Sequence, residues 1–159
     1  MTIVKANTVK LASQCCELGE GPHYDRVRDT AYWFDIVGCR LHEHRFASGE
    51  TIAHDLPRMG SVIARIDDGR QMLAMEDGLY LRDVASGTLD LLVALEADKP
   101  ANRSNDGRVH PSGRLWIGTM SKTAERAAGA IYWSDGRAVR RLWDGISIPN
   151  SICFSPDGS

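Results

Sequence analysis

The sequence predicts an all-β fold assembled from four-strand units of the propeller type, and three observations lead there. Short apolar-alternating runs recur at about 8–12-residue spacing with Gly-containing turns between them, the pattern of antiparallel strands. The turn signals Asp67-Asp68-Gly69, Pro111-Ser112-Gly113 and Pro156-Asp157-Gly158 set their glycines 44 and 45 residues apart. The tripeptide Ala-Ser-Gly closes a run at 47–49 and again at 85–87, 38 residues later. A period of about 40–45 residues holding four strands is that of a propeller blade.

The elements follow in order. Runs at 23–25, 31–36, 40–46 and 51–54 make the first unit, spanning 18–56. Runs at 62–66, 71–75, 78–84 and 89–93 make the second, 57–95, and runs at 108–109, 115–120 and 130–133 belong to a third, 101–146. A fourth unit opens at 147–159 with the run at 152–154. The segment 3–11 reads as a further strand, one that completes the last blade of a closed ring. Helices are excluded because no window of about 11 residues keeps an i, i+3, i+4, i+7 apolar pattern free of Gly or Pro; residues 123–128 come nearest and are too few.

Composition narrows the function. With 19 Lys+Arg against 21 Asp+Glu, the net charge of −2 lacks the basic excess of a nucleic-acid binder. A 43% hydrophobic content excludes disorder by composition, and no stretch approaches the ~20 apolar residues of a membrane span. No apolar secretion signal is readable at the N-terminus. Cys15, Cys16, Cys39 and Cys153 show no CxxC spacing, so they read as reduced thiols of a cytoplasmic protein.

The turns also supply a register. Stepping back six residues from Asp67, Pro111 and Pro156 reaches Ser61, Asn105 and Asn150, and the equivalent residue of the first unit, allowing for its longer turn, is Glu20; the four are spaced by 41, 44 and 45 residues. In a propeller the first strand of each blade lines the central channel, so these four belong to one polar ring. A carboxylate with amide oxygens suits Ca²⁺, Mg²⁺ or Mn²⁺, and can serve Zn²⁺. Equally, Asn and Ser at such positions satisfy backbone groups as ordinary turn residues. His42 and His44 share a strand face at i, i+2 with no third ligand in register, and read as an exposed face. Arg137, Arg140 and Arg141 read as a solvated strand edge. A Gly-x-Ser-x-Gly elbow, HExxH and a P-loop are all missing, leaving the serine-hydrolase, zincin and NTPase classes without local support.

Five motifs, in order, resemble one family: Leu18-Gly19-Glu20-Gly21-Pro22; Tyr32-Trp33-Phe34-Asp35-Ile36; Arg103-Ser104-Asn105-Asp106-Gly107; the run from Gly113 to Met120; and Pro149-Asn150 followed by Ser155-Pro156-Asp157-Gly158. Together they resemble the senescence marker protein/gluconolactonase (regucalcin-like) family from Leu18 onward. The resemblance implies a six-bladed propeller with one divalent metal ion, Ca²⁺ or Zn²⁺ foremost and Mn²⁺ or Mg²⁺ as alternatives, in the channel. Glu20 and Asn150 correspond to metal ligands, Arg103 and Asn105 to the substrate-contacting pair. The family's acid–base aspartate lies one blade beyond Asn150, past Ser159. The implied reaction is hydrolysis of a sugar lactone to its acid. A non-catalytic calcium-binding propeller and an inactive truncated product are the alternatives. Ser121-Lys122-Thr123 offers no acidic residue where some relatives have one, which leaves the sugar open.

Six units of about 44 residues need roughly 260–300 residues. A chain of 159 is therefore expected to hold about three blades plus the start of a fourth, as the N-terminal half of such an enzyme or as a truncated product.

Overall fold

A computed structural model describes residues 8–158. Twelve strands form three four-stranded antiparallel sheets, each a simple meander of consecutive strands. The first sheet contains β1 (Gly19–Asp25), β2 (Thr30–Asp35), β3 (Arg40–Arg45) and β4 (Glu50–Asp55). The second contains β5 (Gly60–Arg65), β6 (Arg70–Met75), β7 (Gly78–Asp83) and β8 (Leu89–Ala94). The third contains β9 (Asn102–Val109), β10 (Leu115–Ser121), β11 (Gly129–Ser134) and β12 (Val139–Ile146).

The sheets stack face to face, and the alternation of side chains shows how. Ile63, Leu73, Met75 and Tyr80 of the second sheet pack against Tyr32, Phe34 and Leu41 of the first. Val62, Ala64, Met72, Ala74 and Leu79, pointing the other way, pack against Leu115, Ile117 and Tyr132 of the third. Residues 71–75 are all buried, and a strand buried on both faces reads as a continuous apolar run, here Met72 to Met75. Each fully buried Phe or Leu contributes about 1.5–3 kcal/mol. The first strands β1, β5 and β9 lie next to one another, and β4, β8 and β12 lie outermost and largely exposed. Three sheets so arranged are three blades of a β-propeller.

Several expectations are corrected. The strand β12 is absent from the apolar runs, because an outermost strand is held by backbone pairing to β11 and needs no buried alternation; Arg140 and Arg141 sit on it, exposed. The run at 152–154 forms no strand. Of the segment 3–11, residues 3–7 lie outside the described residues, and 8–11 are not in a strand. His42 and His44 are buried at 3% and 6% exposure, not exposed. His42 stacks flat on Trp33 with ring centroids 5.1 Å apart, and the thiol of Cys16 lies 3.8 Å from its Nε2. His44 contacts the Thr51 hydroxyl through Nδ1 at 2.8 Å. Aromatic neighbours and the segment preceding β1 cover this face of β3, and burial lowers the His42 pKa against the opposing pull of Asp35.

Candidate functional site

All three innermost strands are irregular at the same level. In β1 the register slips between Glu20 and His23, leaving Gly21 and Pro22 opposite Trp33. In β5 it slips between Gly60 and Val62, so Ser61 is the extra residue. In β9 both Asn105 and Asp106 stand opposite Gly118. A β-bulge re-aims side chains and bends its strand, and here three bulges bring the positions spaced by the repeat around one space. Gly21 has φ +61, and a Cβ there would collide with the Ser61 carbonyl oxygen, so the close approach of β1 to β5 at this bulge requires glycine.

That space is a cavity of about 430 Å³, lined by Glu20, His23, Ser61, Asp106, Arg108 and Asn150 among others. Glu20 is positioned from β2. The buried Asp35 carboxylate accepts backbone N–H bonds from Glu17 (3.1 Å), Leu18 (3.0 Å) and Gly38 (3.1 Å). Burial opposes its charge, but these bonds outweigh burial and hold its pKa below the usual value.

The expected residues divide into two groups. Glu20, Ser61 and Asn150 line the cavity; Arg103 and Asn105 do not. Arg103 is 8% exposed, and its Nη1 donates to the Ser104 carbonyl (2.9 Å) and to Asn105 Oδ1 (2.8 Å). Burial lowers its pKa while the Glu20 carboxylate pulls it back up. Asn105 then donates through Nδ2 to the Pro149 carbonyl at 2.9 Å. Ser61 is fully buried, with its hydroxyl donating to Ser104 Oγ at 2.8 Å. Its side chain is therefore engaged elsewhere.

Three lining residues escaped the sequence reading. Asp106 accepts the Gly107 N–H through Oδ1 and the Ile152 N–H through Oδ2, both at 2.8 Å. Its adjacency to Asn105 was the available signal. His23 has its pKa lowered by burial, with Asp25 opposing and Arg108 adding to the shift; Arg108 donates through Nε to the Ile152 carbonyl at 3.4 Å.

The donor chemistry fits a hard divalent cation as far as it extends. Glu20 carries a carboxylate and Asn150 an amide oxygen; both residues are exposed and line the cavity, and no hydrogen bond among the described residues occupies either side chain. Among the described residues no cluster of three or more His, Cys, Asp or Glu side chains could hold a metal. Glu20 and Asn150 thus offer the cavity one charged and one neutral oxygen donor.

Comparison with known proteins supports the same part of the sequence. Residues 18–159 match the SMP-30/Gluconolactonase/LRE-like region. The crystal structure of a calcium-binding protein, regucalcin, from Agrobacterium tumefaciens str. C58 superposes with a TM-score of 0.91 at 55% identity, covering 93% of this chain and 50% of that one. A protein of Rhizobium meliloti (strain 1021) provisionally named a sugar lactone lactonase is 52% identical over 149 residues, 94% of this chain and 50% of its own length. The L-arabinolactonase of Azospirillum brasilense is 35% identical over 148 residues, 89% of this chain and 49% of its own length. The chain spans about half the length of the curated relatives it matches. Motifs, three-bladed architecture and family match agree: the chain belongs to the SMP-30/gluconolactonase/LRE-like family.

Proposed function

We propose that this chain is the N-terminal half of a metal-dependent sugar lactonase, opening an aldonolactone to its acid, with Glu20 and Asn150 as two ligands of one divalent cation. The observation that carries the reading is that a carboxylate and an amide oxygen, 130 residues apart in sequence, share one cavity with no competing hydrogen bond among the described residues. A bound divalent cation supplies carbonyl polarisation and a water of lowered pKa. Glu20 contributes the charge that retains the cation. Arg103 lies outside the cavity lining in this chain, but it is a permanent cation with donors left over beside the bonds from its Nη1, and these suit a lactone carbonyl or sugar hydroxyl that reaches it. Asn105 fixes that guanidinium. The acid–base aspartate is expected outside residues 1–159. The names of relatives, a sugar lactone lactonase and an L-arabinolactonase, support the substrate class.

A second reading is favoured by the relative described as a calcium-binding protein. In it the same oxygens hold Ca²⁺ without turnover. A chimera in which residues 18–158 replace the matching half of the Agrobacterium regucalcin separates the two. Cation binding by calorimetry together with acid release from gluconolactone and pentonolactones supports the lactonase. Binding without acid release from any lactone supports the calcium-binding reading, and no binding of Ca²⁺, Zn²⁺ or Mn²⁺ rejects both.

A further inference from the structure

The segment that carries Asn150 belongs to no sheet. Residues 149–158 form no strand, and they follow β9 through side-chain bonds. Asn105 reaches the Pro149 carbonyl, Asp106 the Ile152 amide, Arg108 the Ile152 carbonyl, and His110 Nε2 contacts the Gly158 carbonyl at 2.9 Å. Two of these bonds bracket Asn150 and Ser151. Ser151 has φ 58, a left-handed backbone that a non-glycine residue holds only when its surroundings impose it.

We propose that Asp106 is a positioning residue of the cavity, which with Asn105 clamps the chain across Ser151 so that Asn150 stays in the cavity wall. The proposal rests on the reading of Asn150 as a ligand given above. The chemistry of Asp106 suits the task. An ionised carboxylate is an acceptor at both oxygens, and both are used by backbone N–H groups, of Gly107 and of Ile152. Such charge-assisted bonds are stronger than neutral ones. Asparagine has the same shape but one acceptor oxygen, so its NH₂ group would oppose one of the two backbone donors.

The other side of the clamp is steric. Pro149 is buried and packs into the space left by Gly118 of β10, where an added Cβ would come within 2.5 Å of Pro149 Cγ. Gly118 is also the residue opposite the β9 bulge. The bulge therefore does two things at once: it turns Asn105 and Asp106 toward 149–152, and it leaves room on β10 for the proline that precedes Asn150.

The test is hydrogen–deuterium exchange of the peptide covering 149–154, read by mass spectrometry at micromolar chain concentration, with and without millimolar Ca²⁺. Asp106→Asn is expected to speed exchange at Ile152 by about tenfold or more while peptides of β6 and β10 keep their protection, since local openings are independent of global unfolding. Gly118→Ala should do the same from the opposite strand without touching the carboxylate. It also stands in as the test if Asp106→Asn fails to fold. In the chimera, adding Ser151→Gly to Asp106→Asn should restore the Ca²⁺-dependent protection of 149–154, because glycine adopts the left-handed backbone without strain once the carboxylate no longer imposes it. A merely structural aspartate would not be rescued in this way. Unchanged exchange at Ile152 in both single variants overturns the clamp. If both variants free Ile152 but Ca²⁺ protects nothing in the wild-type chain or the chimera, the clamp stands and the ligand reading of Asn150 fails.

Discussion

Leu18 is gripped at both of its peptide groups by the last residue of β2 and the one after it: its N–H donates to Asp35 Oδ1 at 3.0 Å, and its carbonyl accepts the N–H of Ile36 at 2.9 Å. Glu20 follows two residues later. The entry of β1, and with it the charged wall of the cavity, is thus set by a carboxylate on the neighbouring strand. Asp35→Asn leaves one acceptor oxygen for three backbone donors. It is expected to destabilise the chain by about 1–3 kcal/mol, the range for orphaning buried donors, and to lower the thermal midpoint by several degrees, read by circular dichroism.

Glu20 itself is exposed and outside the core, so Glu20→Gln should leave folding intact. In the chimera it should weaken divalent-cation binding by more than about tenfold, because the charged ligand is lost while the shape remains. Arg103→Lys should keep cation binding within a few-fold and lower kcat/KM by at least about tenfold, since a point charge cannot reproduce the guanidinium fork. Calorimetry alongside a pH-drop assay separates the two effects.

Glu43 offers a pH test remote from the cavity. It is 2% exposed; His54 Nε2 lies 2.9 Å from its Oε2, and Arg45 Nε donates to its Oε1 at 2.7 Å. The His54 bond, against the opposing effect of burial and with Arg45 assisting, lowers its pKa from 4.5 to about 2. A depressed carboxylate pKa means stability that is present above the unfolded value of 4.5 and lost as pH falls toward 2. Glu43→Gln should therefore be destabilised at pH 7, by up to about 3 kcal/mol, and should match the wild type near pH 2. Urea melts at several pH values measure the difference.

Residues 1–159 alone are expected to show no lactone turnover. Glu20 and Asn150 give two oxygen donors where a hard cation takes six or more. The chain is also expected to self-associate as concentration rises, because β4, β8 and β12 are edge strands whose outward backbone groups another chain can pair. Size exclusion across a concentration series, with gluconolactone assays in Ca²⁺, Zn²⁺ and Mn²⁺, checks both. A monodisperse monomer with cation-dependent turnover would refute them.

Hydropathy alone reveals the strands whose side chains must alternate: 31–36, 71–75 and 115–120 stand out because a blade packed between others buries both faces or one. The sequence also determines the interval that puts Glu20, Ser61 and Asn150 at equivalent places, since a repeating fold repeats its turns. Tertiary structure alone decided the rest. Strand β12 is held by backbone bonds to β11, which leave no trace in hydropathy. His42 is buried because Trp33 and the segment around Cys16 cover it, contacts 9 and 26 residues away along the chain. The place of Asp106 in the cavity wall is not legible in the sequence, because a bulge, by adding a residue to one strand, changes which residues face the cavity, and a bulge is a property of the pairing between β9 and β10, not of either strand alone.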